Sequence, residues 1–76
     1  MALPRTLNAV IHLTINGAEH RFATAPTVAQ VIAGLDLGQR RIAVERNGEI
    51  VPRSLFETTA LASGDHVEIV VAVGGG

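Results

Sequence analysis

The chain has 76 residues, 47% of them apolar, a formal net charge of −1 and no cysteine. One small domain of this size buries only about 60 to 65% of the surface its unfolded form exposes. The missing cysteine excludes disulfide staples, thiolate metal sites and cysteine nucleophiles. All six basic residues are arginine, and they form no basic stripe, so nothing points to nucleic acid. Two Phe without Trp or Tyr make no base-stacking platform. No apolar run reaches membrane-spanning length, and the start lacks a signal-peptide core. The expectation is a cytoplasmic protein.

Residues 1–9 read as a flexible N-terminal extension, since Pro4 argues against a regular element there. Val10 to Asn16 alternates, with Ile11, Leu13 and Ile15 on one face and His12 and Thr14 on the other, which is a half-buried strand. Asn16-Gly17 is a strong hairpin signal, because both residues tolerate positive φ. The return strand, Ala18 to Ala23, offers Phe22 to the core, with His20 on the same face. Thr27 then caps a helix, and Gln30 stands where it completes a capping box. Val28, Val31, Ile32 and Leu35 repeat at helical spacing and mark its buried face. Gly34 weakens this helix and Gly38 is its predicted stop.

Arg41 to Arg46 is the third strand, with Ile42 and Val44 inward. Asn47-Gly48 is a second tight turn into Glu49–Val51, and Pro52 confines that strand to an edge or an end. Ser54-Leu55-Phe56 makes an irregular or 3₁₀ turn, with Leu55 or Phe56 plugging the core. Ser63-Gly64-Asp65 turns into the last strand, His66 to Val73, whose apolar character suits the centre of a sheet. Two hairpins therefore flank one helix that can cover only one sheet face. The first and last strands are the most apolar, and side by side they run parallel. The predicted fold class is α+β: a ubiquitin-like β-grasp domain over residues 10–73, with a mixed sheet of four to five strands and one main helix on one face.

In the last strand Val67, Ile69, Val71 and Val73 are expected to face the helix. Val70 and Ala72 then face water, just before the glycine tail of residues 74–76, and form a candidate protein-docking patch. A glycine tail enters places where any Cβ would clash, which suits a chain whose terminal carboxylate is its working group. The plain alternative is a frayed end. His12, His20 and His66 lie on different strands with no tight ligand pair, which points neither to a metal site nor to an acid–base catalyst.

Several stretches together resemble the sulfur carrier family of thiamine-thiazole biosynthesis. They are Ile15-Asn16-Gly17, Thr27-Val28, the run Val44-Glu-Arg-Asn-Gly-Glu-Ile-Val-Pro-Arg-Ser54, Leu61, the run Gly64-Asp-His-Val-Glu-Ile-Val70, and the closing Gly75-Gly76. The resemblance covers about residues 10–76. It implies that the chain is not itself an enzyme and binds no cofactor or metal of its own. It further implies that an activating enzyme, using ATP with magnesium, adenylates the carboxylate of Gly76. Sulfur, relayed from a cysteine desulfurase in many cases, then gives a thiocarboxylate that donates to thiazole synthase. Gly76 is thus the implied reacting residue and Gly75 the one that passes the narrow channel. Val70, Ala72, Gly74, Gly75 and Gly76 are the implied partner contacts.

Two features depart from the family pattern: the extension over residues 1–9, and Phe56 where many relatives carry Trp or Tyr. Two rival readings keep the same fold and tail. One is sulfur donation to molybdopterin or another acceptor. The other is a ubiquitin-like conjugation or binding module.

Overall fold

The computed structural model describes residues 10–37 and 41–72. Its elements are β1 (Ile11–Ile15), β2 (Ala18–Phe22), α1 (Val28–Gly34), β3 (Ile42–Arg46), β4 (Glu49–Val51), a 3₁₀ turn (Arg53–Leu55) and β5 (His66–Val71). They form one five-stranded sheet in the order β2-β1-β5-β3-β4. β5 runs parallel to β1 and antiparallel to β3, while β1–β2 and β3–β4 are antiparallel hairpins. This is the expected β-grasp layout, with β5 in the middle. The predicted residues 1–9, Gly38, Val73 and Gly74 to Gly76 lie outside the described residues.

Both hairpins turn as their Asn-Gly pairs require. Asn16 and Gly17 have φ of 51° and 84°, and Asn47 and Gly48 have 52° and 87°. Positive φ at both central residues gives the type I′ turn, whose twist matches that of the flanking strands.

The helix is short, and its start is fully hydrogen-bonded. Thr27 Oγ1 accepts from the Gln30 amide at 3.2 Å, and Gln30 Oε1 accepts from the Thr27 amide at 2.9 Å. Each helix leaves its first amides without partners inside the helix. Here the loop after β4 supplies them: Val28 N–H donates to Thr59 O and Ala29 N–H to Phe56 O. The capping box is therefore as predicted. The stop comes earlier than Gly38, however. The helix ends at Gly34 with Leu35 as its C-cap, and Asp36 takes the left-handed conformation at φ 56°. A short polar side chain tolerates that conformation better than most.

The core lies between α1 and one sheet face. Its buried residues are Leu13, Ile15, Val28, Val31, Val44, Val51, Phe56, Leu61, Val67 and Ile69. Ile11, Phe22, Ile32, Leu35 and Ile42 pack against it half-buried. Phe56, not Leu55, plugs the end: Phe56 is 9% exposed and Leu55 46%. His20 shares the inner side with Phe22, as expected, and both line a small cavity beside Val31 and Leu35.

Candidate functional site: the open sheet face and the strand that leads to the tail

The pleat of β5 fixes which side chains are available. Val67 and Ile69 are buried and Val71 is half-buried, whereas His66, Glu68, Val70 and Ala72 are exposed. Successive residues of a strand point to opposite faces, so the predicted register holds. Val70, 59% exposed, and Ala72 lie on the side that the helix leaves uncovered. The tail residues Gly74, Gly75 and Gly76 lie beyond the described residues, so no geometry is assigned to them.

Neighbouring strands enlarge this face beyond what the sequence suggested. Val70 stands opposite Ala43 on β3, and Glu68 stands opposite Glu45, which in turn faces Ile50 on β4. Ile50 is 64% exposed. The face thus carries Val70, Ala43, Ala72 and Ile50 around two carboxylates. The signal for Ile50 was present: with Val51 inward, alternation sends its neighbour outward.

At the far side of the same face His12 Nδ1 meets Glu19 Oε2 at 2.7 Å, with both side chains largely exposed. The hydrogen bond with His12 holds the Glu19 carboxyl below the usual range, against an opposing desolvation effect. An exposed pair of this kind contributes little stability. The described residues contain no group of three His, Asp or Glu side chains able to hold a metal ion.

A second feature, not anticipated from the sequence, anchors β5 from both sides. Asn16, the first residue of one turn, gives its amide N–H to Val67 O at 2.9 Å. Its side chain then takes the Ile69 N–H on Oδ1 at 2.7 Å and donates from Nδ2 to Ile69 O at 3.1 Å. One asparagine side chain thereby stands in for a further residue of β1. Asn47, in the other turn, works from the opposite edge. Its N–H reaches His66 O at 2.7 Å, and its Oδ1 accepts from the His66 N–H at 2.9 Å.

Asp65 closes this anchor. Its side chain is buried and accepts from Arg46 Nε at 2.8 Å, Asn47 Nδ2 at 3.0 Å and the Ala62 amide at 2.8 Å. Burial pushes the carboxyl pKa upward. The Ala62 amide, the Asn47 amide and the Arg46 guanidinium outweigh it and leave the pKa lowered. The start of β5 is therefore held by ionic and polar contacts.

Comparison with known proteins decides what this arrangement belongs to. The family model described as the ThiS family matches residues 6–76. The chain belongs to the ThiS family. The crystal structure of the thiamine biosynthesis protein ThiS from Geobacter metallireducens superposes with a TM-score of 0.72 at 33% identity, covering 87% of this chain and 100% of that one. A thiazole synthase of Paramagnetospirillum magneticum is 45% identical over 64 residues, which are 84% of this chain and 20% of that protein. The chain thus spans a fifth of the length of that relative. It is also 34% identical to the uncharacterized protein ycf40 of Porphyra purpurea, over 92% of this chain and 99% of that one. As a ThiS-family protein, the chain has the ubiquitin-like β-grasp fold.

Proposed function

We propose that this chain is a sulfur carrier of thiamine biosynthesis, that the carboxylate of Gly76 is the group that holds the sulfur, and that thiazole synthase receives it. The observation that carries this reading is the ThiS-family match, which runs through residue 76. The thiazole synthase relative, part of which resembles this chain, favours thiazole formation over another acceptor.

The chemistry follows from the group itself. An ionised carboxylate is a poor electrophile. An ATP-dependent activating enzyme, with magnesium, joins a Gly76 carboxylate oxygen to the α-phosphorus and releases pyrophosphate. A sulfide-class nucleophile then attacks the acyl carbon and expels AMP, which leaves the thiocarboxylate. Gly75 and Gly74 let the tail thread each partner's channel. Ordering such a tail costs about 1 to 2 kcal/mol per residue, so the folded body must contribute docking energy. Val70, Ala72 and Ile50 supply apolar area for that docking.

Incubation with the activating enzyme, ATP and sulfide should raise the intact mass by the difference between sulfur and oxygen. A chain that acquires neither acyl-AMP nor sulfur refutes the proposal. A lysine adduct on another protein supports conjugation instead.

Docking has its own test. Val70→Asp places a charge in the patch without touching the core, so the unfolding free energy should change by less than about 0.5 kcal/mol. Affinity for the activating enzyme should fall by at least about tenfold, from the cost of desolvating that carboxylate at an interface. Calorimetric titration and denaturant unfolding measure the two quantities. Equal losses in both would mean that Val70 serves the fold rather than the partner.

A further inference from the structure

β5 is longer than the strand beside it. β1 pairs with β5 only through Thr14 opposite His66 and Ile15 opposite Val67. Asn16 extends that pairing to Ile69 with its side chain, and at Gly17 the chain turns away into β2. The other edge of β5 stays paired further along, since the Ala72 N–H donates to Arg41 O at 2.9 Å. Backbone groups along a strand point alternately to its two edges. Ala72 points to β3, so Val71 points to the β1 side, as Ile69 does. There, among the described residues, no hydrogen-bond partner meets the N–H or C=O of Val71.

A short, open strand edge is a template for another strand. This one lies five residues before Gly76, about 17 Å of extended chain at 3.3 Å per residue. It adjoins the exposed Val70 on the same strand and Ala72 directly after it. We propose that an extended segment of the adenylating partner adds to β5 at Val71 as a further strand and so aims the tail at its active site. Backbone pairing of this kind gives affinity without demanding particular side chains. It suits a tail that has almost none. The proposal rests on the reading that an adenylating partner handles the tail.

Val71→Pro isolates the effect. Proline removes the Val71 amide, which has no partner among the described residues, and it is tolerated where a strand edge is open. The amides of Glu68 and Val70, which face β3, are untouched. The variant should unfold close to the parent midpoint and bind the activating enzyme about tenfold more weakly, the loss of about one backbone hydrogen bond. Val71→Ala keeps the amide and should bind nearly as the parent does. Parent-like binding by Val71→Pro overturns the proposal, as does equal weakening by Val71→Ala.

Hydrogen exchange at the Val71 amide of the unaltered protein decides the matter even if the proline variant fails to fold. Exchange should slow at least about tenfold in the complex, and an unchanged rate overturns the idea. Protection that rises with protein concentration in the absence of partner also overturns it, because a second copy then fills the edge. If the unaltered chain neither binds nor becomes adenylated, the functional reading fails. If it does both while Val71 stays unprotected, only the strand-addition proposal fails.

Discussion

Deletion of Gly76 is expected to lower thiocarboxylation by at least about 100-fold while leaving the fold intact. The shortened chain still ends in a carboxylate, on Gly75, so the functional group is not lost. It is drawn back by one residue, about 3.3 Å of extended chain. A displacement of about 1 Å from the reacting position can already cost about 100-fold. Unfolding should be unaffected, because the buried core runs from Leu13 to Ile69. Intact-mass spectrometry after incubation with the activating enzyme, ATP and sulfide reads the first quantity, and thermal unfolding reads the second. Sulfur incorporation at the parent rate would remove Gly76 from the mechanism. Loss of the fold would assign it a structural role instead.

The largest stability effect should come from Asp65. Asp65→Ala strips three donors of their acceptor at once, and it leaves the half-buried Arg46 guanidinium without its carboxylate. Removing one partner from a buried ion pair costs about 3 kcal/mol or more, a large part of the roughly 5 kcal/mol expected of so small a domain. The variant should keep only about 2 kcal/mol, with a few per cent of chains unfolded at room temperature and a sharply lowered unfolding midpoint. Asp65→Asn keeps an acceptor oxygen and should lose less.

The pH dependence follows from the same contacts. The folded pKa of Asp65 lies below its unfolded value, which is about 3.9, so the unfolded chain binds the proton more readily. The carboxylate's contribution is complete above that unfolded value and is lost as the pH falls through the folded pKa. Glu19 is shifted the same way by His12, but it is exposed and adds little. Acid unfolding of the parent should therefore have a component below about pH 4 that is missing in Asp65→Asn. Circular dichroism against pH measures it, and identical acid limbs would show that Asp65 stays protonated or unpaired.

Losing Asp65 should also disturb the working end indirectly. Asp65 holds Asn47 Nδ2, and Asn47 Oδ1 in turn takes the His66 amide at the start of β5. The open face depends on that strand keeping its register, since a slip of one residue sends Val70 inward and Val71 outward. Under the proposed docking at Val70, stability and docking are therefore coupled at Asp65 and separable at Val70.

The order of local elements was legible in the chain itself. Asn16-Gly17 and Asn47-Gly48 wrote both hairpins, because few residue pairs accept two consecutive positive φ values. Thr27 and Gln30 wrote the helix start through hydrogen bonds that span only three residues. Alternation in β5 set which face Val70 and Ala72 occupy. The resemblance to sulfur carriers also lay in contiguous runs, above all residues 44–54 and 64–70.

Other features depended on contacts between distant parts of the chain. The helix stop moved from Gly38 to Gly34 because Asp36 accepted the left-handed turn first. Leu55 and Phe56 were equivalent candidates until the 3₁₀ turn rotated one inward. Asn16 looked like a turn residue, and its bond to Ile69 spans 53 positions. Asp65 looked like part of an exposed turn, yet it meets Arg46 and Asn47 across the sheet. Periodicity and turn chemistry are local and are written residue by residue. Which side chain completes a neighbouring strand, and where a strand edge is left open, depends on how far β1 runs beside β5, and only the assembled sheet sets that.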